Sequence, residues 1–437
     1  MYDTPQKLYN FLKDNNTFFI CLTPEVPDFT INQPFTLSFY LIGKKLDILI
    51  TSENAKDILG ALEYLVFKKN NNILCWNIKE LYTCLKFYTG SLVNGPFPLD
   101  LKLIESFLGI TKKCPENLTE AIDRARVVGK SVEIWKDLNN KIFSRLSKEV
   151  IPSIETLPLL DEELRDFVYS HYEIDGQSNG RSLCESSYVN SYNPHILGSD
   201  VKSRLKPVGD NLFLYCDYNH FEVTVLQWLS KDERMKAILD SGKDFYRMLY
   251  RFLFNESCKS DEDRNRCKKL FLPVIFGQSA YSVSQNMGLS IEESEQTIKK
   301  MKNLFPTAFS FVESKEMEAT MGVISDYFGR TRKFEKPYKA RNFVIQSPAS
   351  IFCLEKLIGL YDLLKDDAQL AFHVHDGYGI ISTKNNYKDI IAIAQSYLED
   401  YSSLMPGLRV SASVKFGYKL NKLDNCIEGK YEQLLAS

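Results

Sequence analysis

Two apolar runs in this chain end on an aspartate, and they constrain its fold more than any other feature. One of them, 371-AFHVHDGYGIIS-382, breaks at His375-Asp376-Gly377 and resumes at Tyr378. Asp-Gly between apolar stretches is among the strongest short hairpin signals, so the segment predicts two antiparallel strands with an Asp-Gly turn. The other, 211-NLFLYC-216, reads as a short buried strand that ends at Asp217. Asp217 also precedes a helical pattern, where an aspartate can cap the first turn. Each aspartate thus has a structural reading, turn or cap, and a chemical one, a carboxylate held rigidly at a strand tip. Two such carboxylates suit a site for two Mg²⁺ ions roughly 4 Å apart, the arrangement used in phosphoryl transfer. Mg²⁺ takes few protein carboxylates, because water and substrate phosphates complete its octahedron.

The chain has 437 residues, enough for two or three domains. Hydrophobic residues make up 44% and charged residues 25%, a globular mix. No run of 18 apolar residues is present and the start carries no signal-peptide pattern, so the expectation is an intracellular protein without membrane association. Ten cysteines lie scattered without a CxxC pair, which fits reduced thiols rather than a disulfide framework or a zinc site. A net charge of −2 neither implies nor excludes nucleic acid, since local patches decide such binding. The Lys-, Asn- and Ile-rich composition is compatible with an AT-rich genome, such as that of a phage, plasmid or virus.

Along the chain, runs at 17–23, 35–42, 46–51 and 73–77 predict strands, and patterns at 54–67, 79–88 and 99–108 predict helices. Residues 113–170 carry helical periodicity and high charge, the pattern of a connector, and 175–194 reads as a long loop. Helices dominate from about 222 to 320, then recur at 347–365 and 387–401, with a last strand at 408–417. In 264-RNRCKKLFLPVIFG-277, Arg264, Lys268, Leu272 and Phe276 recur every four residues, placing two cations and an aromatic on one helix face. Such a face suits a nucleoside triphosphate; an amphipathic surface helix has the same pattern, and Pro273 predicts a kink or break. The stretch 329-GRTRKFEKPYKAR-341 mixes cations with aromatics, as a phosphate-backbone contact strip or a solvated loop would.

In this order the motifs resemble those of family A DNA polymerases. The first palm motif corresponds to 217-DYNHFEVTVLQWLS-230 with 242-GKD-244, the fingers helix to Arg264, Lys268, Leu272, Phe276 and Gly277, and the second palm motif to 374-VHDG-377. Gly180-Arg181, Arg204, Arg341 and Gln346-Ser347 resemble further family elements. The resemblance implies a mixed α+β and α/β fold: an RNase H-like exonuclease-type domain followed by a right-hand polymerase palm and fingers. The domains expected are a degenerate 3′–5′ exonuclease-like domain over 1–112, a helical connector and vestigial thumb over 113–175, and palm and fingers over 176–437, with fingers at about 232–325.

The resemblance implies DNA-directed DNA synthesis from dNTPs on primer-template DNA, with two Mg²⁺ ions held by Asp217, Asp376 and the backbone carbonyl of Tyr218. Lys268 and Arg264 would hold the triphosphate, Leu272 and Phe276 would pack against the incoming nucleotide, and Glu222 would exclude a ribose 2′-OH. Arg181, Arg204, Arg330, Arg332, Arg341, Gln346 and His375 would contact DNA. The chain departs from the family at Gly377, which stands in place of a glutamate, at Thr224 in place of an arginine, at Leu272 in place of an aromatic, and at Phe276 in place of a tyrosine.

In the N-terminal region Cys21, Thr23 and Leu81 stand where metal-binding carboxylates belong, which implies no proofreading. The family's helical thumb has no room, since Arg181 follows Asp161 by 20 residues. Low processivity, or reliance on a processivity or replication partner, is then expected. A non-catalytic polymerase-like nucleic-acid-binding or assembly subunit is the alternative reading, and a single-subunit RNA polymerase or primase-like activity a lesser one.

Overall fold

The four runs read as strands, joined by Leu99–Asp100 from the stretch read as helix, form a five-stranded sheet in a computed structural model that describes residues 11, 17–62, 72–92, 97–110, 113–129, 135, 137–184, 189–364 and 367–425. The chain separates into two compact units: Met1–Asp217 with Cys353–Glu399 and Ala412–Ser437, and Tyr218–Phe352 with Asp400–Ser411.

In the first unit, β1 (Thr17–Thr23), β2 (Phe35–Leu41), β3 (Lys44–Ile50), β4 (Asn72–Cys75) and β5 (Leu99–Asp100) are ordered β3-β2-β1-β4-β5. The three leading strands pair antiparallel through short turns, while β4 and β5 run parallel to β1. Parallel pairing needs crossovers, and α1 (Ala55–Leu62) and α2 (Ile78–Thr89) lie in those connections. Strand β1 buries five consecutive residues, Phe18 to Leu22, as a central strand covered on both faces does. The predicted helix at 54–67 is described only to Leu62, and its remainder lies outside the described residues. Asp100 joins two helices: its carboxylate accepts from Asn77 and Ile78 N–H at the start of α2 and from Lys102 and Leu103 N–H at the start of α3 (Leu101–Phe107).

The expected helical connector is helical only in part. After α4 (Leu118–Gly129), π-helical turns at Asn139–Phe143 and Leu146–Val150 lead into α5 (Ile151–Glu155). Strands β6 (Leu159–Asp161), β7 (Asp166–Val168) and β8 (Tyr172–Glu173) then replace helix. Pro158 ends the helical run, and Asp161 folds the chain back by accepting from Glu163 and Leu164 N–H. Within 175–194, read as loop, lies β9 (Leu183–Cys184), which pairs with β8; residues 185–188 lie outside the described residues. Helix α6 (Ser199–Arg204) leads into β10 (Leu205–Pro207), which completes the sheet β10-β6-β7.

The sheet that carries the aspartates is ordered β14-β15-β11-β16-β17, with β11 (Asn211–Tyr218) at its centre between β15 (Gly377–Thr383) and β16 (Ala412–Lys419). Its outer strands are β14 (Ala368–Val374) and β17 (Lys422–Asn425). Leu212, Phe213, Leu214 and Cys216 of β11 are fully buried, so the strand that ends at Asp217 is fixed by core packing.

The second unit is mainly helical: α7 (Phe221–Ser230), α8 (Glu233–Asp240), α9 (Phe245–Phe254), α10 (Asp261–Ile275), α11 (Ala280–Met287), α12 (Ile291–Leu304) and α13 (Pro306–Thr320), then the hairpin β12 (Val323–Ser325) and β13 (Thr331–Lys333). Capping boxes at Ser260/Asp263 and Ser290/Glu293 start α10 and α12. Asp232, 2% exposed, repeats the device of Asp100, accepting from Arg234 and Met235 N–H of α8 and from Thr307 and Ala308 N–H of α13.

Helix α14 (Lys339–Leu364) begins eight residues before its predicted start at 347, because Lys339, Ala340 and Arg341 N–H close a first turn on Lys336, Pro337 and Tyr338 carbonyls while Ala340 and Phe343 are buried. Among the described residues it is the one helix long and apolar enough to cross a membrane; 89% of that apolar window is buried, as in a core helix. Helix α15 (Tyr387–Glu399) matches its pattern, the strand predicted at 408–417 begins at Ala412, and β17 follows it.

Candidate active site

The hairpin forms as predicted, with its turn one residue earlier than the Asp-Gly signal places it. Val374 pairs with Gly377, so the two turn residues are His375 and Asp376, and His375 takes the left-handed φ of 54°. On the neighbouring strand Asp217 pairs directly with Gly377. Asp217 and Asp376 therefore stand at the same end of adjacent strands, one residue out of register, where cross-strand neighbours lie about 5 Å apart. Asp217 does not cap α7, whose N-cap is His220.

Other groups converge on this strand end. Tyr215, two residues before Asp217, shares its face of β11. Burial, then Asp217, then Asp376, push its phenol pKa well up. The buried thiol of Cys353 is raised by burial and by Asp376 and Asp217, with Arg181 opposing, which places Arg181 in the same field. The His375 ring lies 4.6 Å from that of His195. Burial first, then Arg181 and His195, lower the His375 pKa to about 4, so the imidazole is neutral near pH 7. Its Nδ1 is buried and has no hydrogen-bond partner. His373 is lowered to about 3, chiefly by burial, and stacks on Tyr172 at 5.4 Å, while the Tyr172 hydroxyl bonds to the His373 backbone. His195 and Tyr215 were not legible as site residues in the sequence; Tyr215 had only its position two before Asp217 to mark it.

The second unit gathers most of the predicted nucleotide-binding residues. Tyr218 buries its ring against Phe221 and Phe352. Glu222, in the first turn of α7, accepts a 2.8 Å hydrogen bond from Gln346 Nε2 of α14. Arg264, Lys268 and Leu272 lie along α10, and Phe276 is its C-cap. Pro273 sits in the last turn and does not break the helix, because Phe276 N–H still bonds to Leu272 O at 2.9 Å and the helix ends two residues beyond it. Arg264 Nε donates to Asp244 at 2.7 Å, and His220 faces the same carboxylate at 3.1 Å. Burial works against ionised Asp244, yet bonds from Arg247 N–H and Arg264 outweigh it and hold the pKa below the usual carboxylate range. Lys268 is exposed.

The basic strip differs from expectation. Arg330 is 0% exposed, so it is no part of a surface strip: its N–H bonds to Asp326, whose pKa is raised by burial against the opposing charge of Arg330. A guanidinium this deep is a structural charge with its partner beside it. Arg341 is engaged by Glu316 through two nitrogens, and Arg332 lies over the Phe343 ring. Arg204, in the first unit, is held by Asp161 at 2.9 Å and Glu163 at 2.6 Å. The exposed cations of the stretch are instead Lys333, Lys336 and Lys339.

At the N-terminal positions that lack carboxylates, Cys21 and Leu81 are buried and Thr23 is exposed. A hydrogen bond with Cys114 draws the Cys21 thiol pKa down against burial. Among the described residues one group has metal-ligand spacing, the buried Glu80, Glu155 and His171. The Lys79 ammonium already lies 2.8 Å from both Glu80 and Glu155, so a cation of the chain occupies that position. Its members are scattered in sequence, and no local pattern announced it.

The family description DNA polymerase family A matches residues 140–422, and the chain belongs to that family. It is 24% identical over 291 residues to a thermostable DNA polymerase I of Thermus filiformis, a match over 62% of this chain and 35% of that protein. It is 23% identical over 354 residues to DNA polymerase I of Lactococcus lactis, over 73% of this chain and 38% of that one. The chain thus spans little more than a third of the length of these relatives. Its fold is similar to the POL domain of Pol1 from M. smegmatis, solved in complex with DNA primer-template and dNTP, with a TM-score of 0.70 at 13% identity over 96% of this chain and 99% of that one.

Proposed function

We propose that the chain is a compact DNA-directed DNA polymerase that extends a primer on a DNA template from dNTPs. The observation that carries this reading is the placement of Asp217 and Asp376 at one end of two paired strands, β11 and β15, in a chain of this family. The donors available there, two carboxylates and the Tyr218 backbone, are hard oxygen ligands that fit Mg²⁺ rather than a thiolate- or imidazole-seeking metal. Two bound Mg²⁺ ions would supply activation of the primer hydroxyl and neutralisation of charge on the leaving pyrophosphate.

The chain's own residues would bind and orient the substrates. Arg264, set by Asp244, and the exposed Lys268 neutralise the triphosphate; Leu272 and Phe276 provide an apolar surface for the nucleotide. Glu222, held by Gln346, crowds the sugar 2′ position. Arg181 and the neutral His375 act near the primer end, and Lys333, Lys336 and Lys339 join Arg332 as candidates for duplex phosphate contact. Arg204 and Arg341 would reach DNA only by exchanging their carboxylate partners.

The five-stranded sheet, with three antiparallel strands followed by two parallel ones, supports reading 1–112 as an exonuclease-like domain. Its carboxylate-free positions support the absence of proofreading. Between Asp161 and Arg181 the chain forms strands and turns without helix, which supports a missing or reduced thumb, and with it weak duplex grip, low processivity and a processivity partner. The reading places the protein inside the cell with its template. Primer extension tests it: a 5′-labelled primer on a DNA template should lengthen according to template sequence with dNTPs and Mg²⁺, and should not shorten when dNTPs are withheld. No extension at any enzyme concentration would overturn the proposal.

A further inference from the structure

Gly377 stands where the resemblance places a glutamate, and the structure shows what demands the glycine. Its φ is not in the left-handed region, so the backbone there would accept any residue. Space is the constraint: a Cβ on Gly377 would lie 2.2 Å from the Tyr215 hydroxyl oxygen and 2.7 Å from its Cζ. The Tyr215 phenol therefore lies directly over the Gly377 Cα. Two residues on, Gly379 pairs with Tyr215, and a Cβ there would meet Phe372 Cζ at 2.4 Å. The Phe372 and Tyr215 rings stack at 6.3 Å with 27° between planes. Two glycines of β15 thus clear room for two rings, and the outer ring carries its hydroxyl toward the strand end where Asp217 pairs with Gly377 and Asp376 adjoins it.

Packing alone does not account for the hydroxyl. A phenylalanine would stack on Phe372 and cover Gly377 equally well, without placing a polar atom in a half-buried position. On the reading of Asp217 and Asp376 as the metal-binding pair, on which this inference rests, we propose that Tyr215 is a positioning residue of the polymerase site. Its hydroxyl, lying over Gly377 at the strand end where Asp217 pairs, is placed to donate a hydrogen bond to a carboxylate of that pair as it turns to hold metal, and so to fix that carboxylate's rotamer. The tyrosine thereby occupies the space that a side chain at position 377 would take.

Tyr215→Phe removes only the oxygen. It should leave the thermal midpoint and the KM for dNTP unchanged, lower kcat for single-nucleotide addition on the order of tenfold, and raise the Mg²⁺ concentration needed for half-maximal rate. Mn²⁺ binding followed by electron paramagnetic resonance should weaken in parallel. Gly377→Glu alone should be impaired by collision with Tyr215, and the double variant Tyr215→Ser with Gly377→Glu should recover activity relative to Gly377→Glu. Wild-type kcat, Mg²⁺ dependence and Mn²⁺ affinity in Tyr215→Phe would overturn the inference, while loss of extension in Asp217→Asn and Asp376→Asn would leave the polymerase reading standing. Full extension by both aspartate variants would overturn both.

Discussion

Removing the amide of Gln346 should relax the exclusion of ribonucleotides. Gln346 is 8% exposed and donates a 2.8 Å hydrogen bond to the Glu222 carboxylate. Gln346→Met keeps the length and volume of the side chain and deletes the donor. A hydrogen bond to an ionised acceptor contributes about 1.5–3 kcal/mol. Glu222 is half-buried, and water recovers part of that loss, so the lower end applies and about 1.4 kcal/mol of orienting energy disappears, roughly a factor of ten. If Glu222 excludes a 2′-OH from a fixed rotamer, the ratio of kcat/KM for a dNTP to that for the matching rNTP should fall roughly tenfold. The thermal midpoint should change little, since the amide bond is exchanged for solvent. The assay is single-nucleotide incorporation on one primer-template with dCTP and CTP in parallel. A discrimination ratio within about twofold of the unmutated protein would refute the reasoning, either because Glu222 is not the gate or because another contact holds it.

Two further perturbations probe the scaffold. Asp232→Ala strips caps from both α8 and α13 at about 0.5–2 kcal/mol each, whereas Asp232→Asn keeps one accepting oxygen and should lose about half as much. Differential scanning fluorimetry should show both midpoints lowered, with the alanine variant lower; equal midpoints would contradict the shared cap. Glu80 has its pKa raised from 4.5 to about 7, chiefly by burial, with Lys79 opposing and Glu155 adding. The folded state then binds that proton more tightly than the unfolded one, so stability falls as pH rises from 4.5 to about 7 and stays reduced above it. Glu80→Gln should match the unmutated protein in urea unfolding near pH 4.5 and exceed it above about pH 7 by up to about 3 kcal/mol; a gap independent of pH would exclude Glu80 as the titrating group.

What was legible in the sequence followed local rules. The apolar runs of β1 and β11, the four-residue spacing along α10 and the capping signals need only neighbours in sequence, and the structure forms those elements. The hairpin turn slipped by one residue because the Asp-Gly signal assumes that glycine serves the turn. Here Gly377 makes room for Tyr215, and His375 bears the positive φ instead. Strands β6 and β7 were hidden because the acidic run 161–166 scores as helix surface, while Asp161 uses it to turn the chain. Arg330 read as a surface cation because its partner, Asp326, binds it only once the β12–β13 hairpin has formed. The bond between Gln346 and Glu222, 124 residues apart, and the cluster of Lys79, Glu80, Glu155 and His171 are tertiary and left no local trace.

The measurement closest to the central claim is the rate of single-turnover nucleotide addition by Asp376→Asn and Asp217→Asn beside the unmutated protein, with primer-template binding followed separately. Asparagine preserves shape and removes the charge that would hold Mg²⁺, so the account predicts a rate lower by at least about a thousandfold in each, with primer-template affinity within a few-fold. Unchanged rates in either variant would contradict a site built on these two strand-end carboxylates.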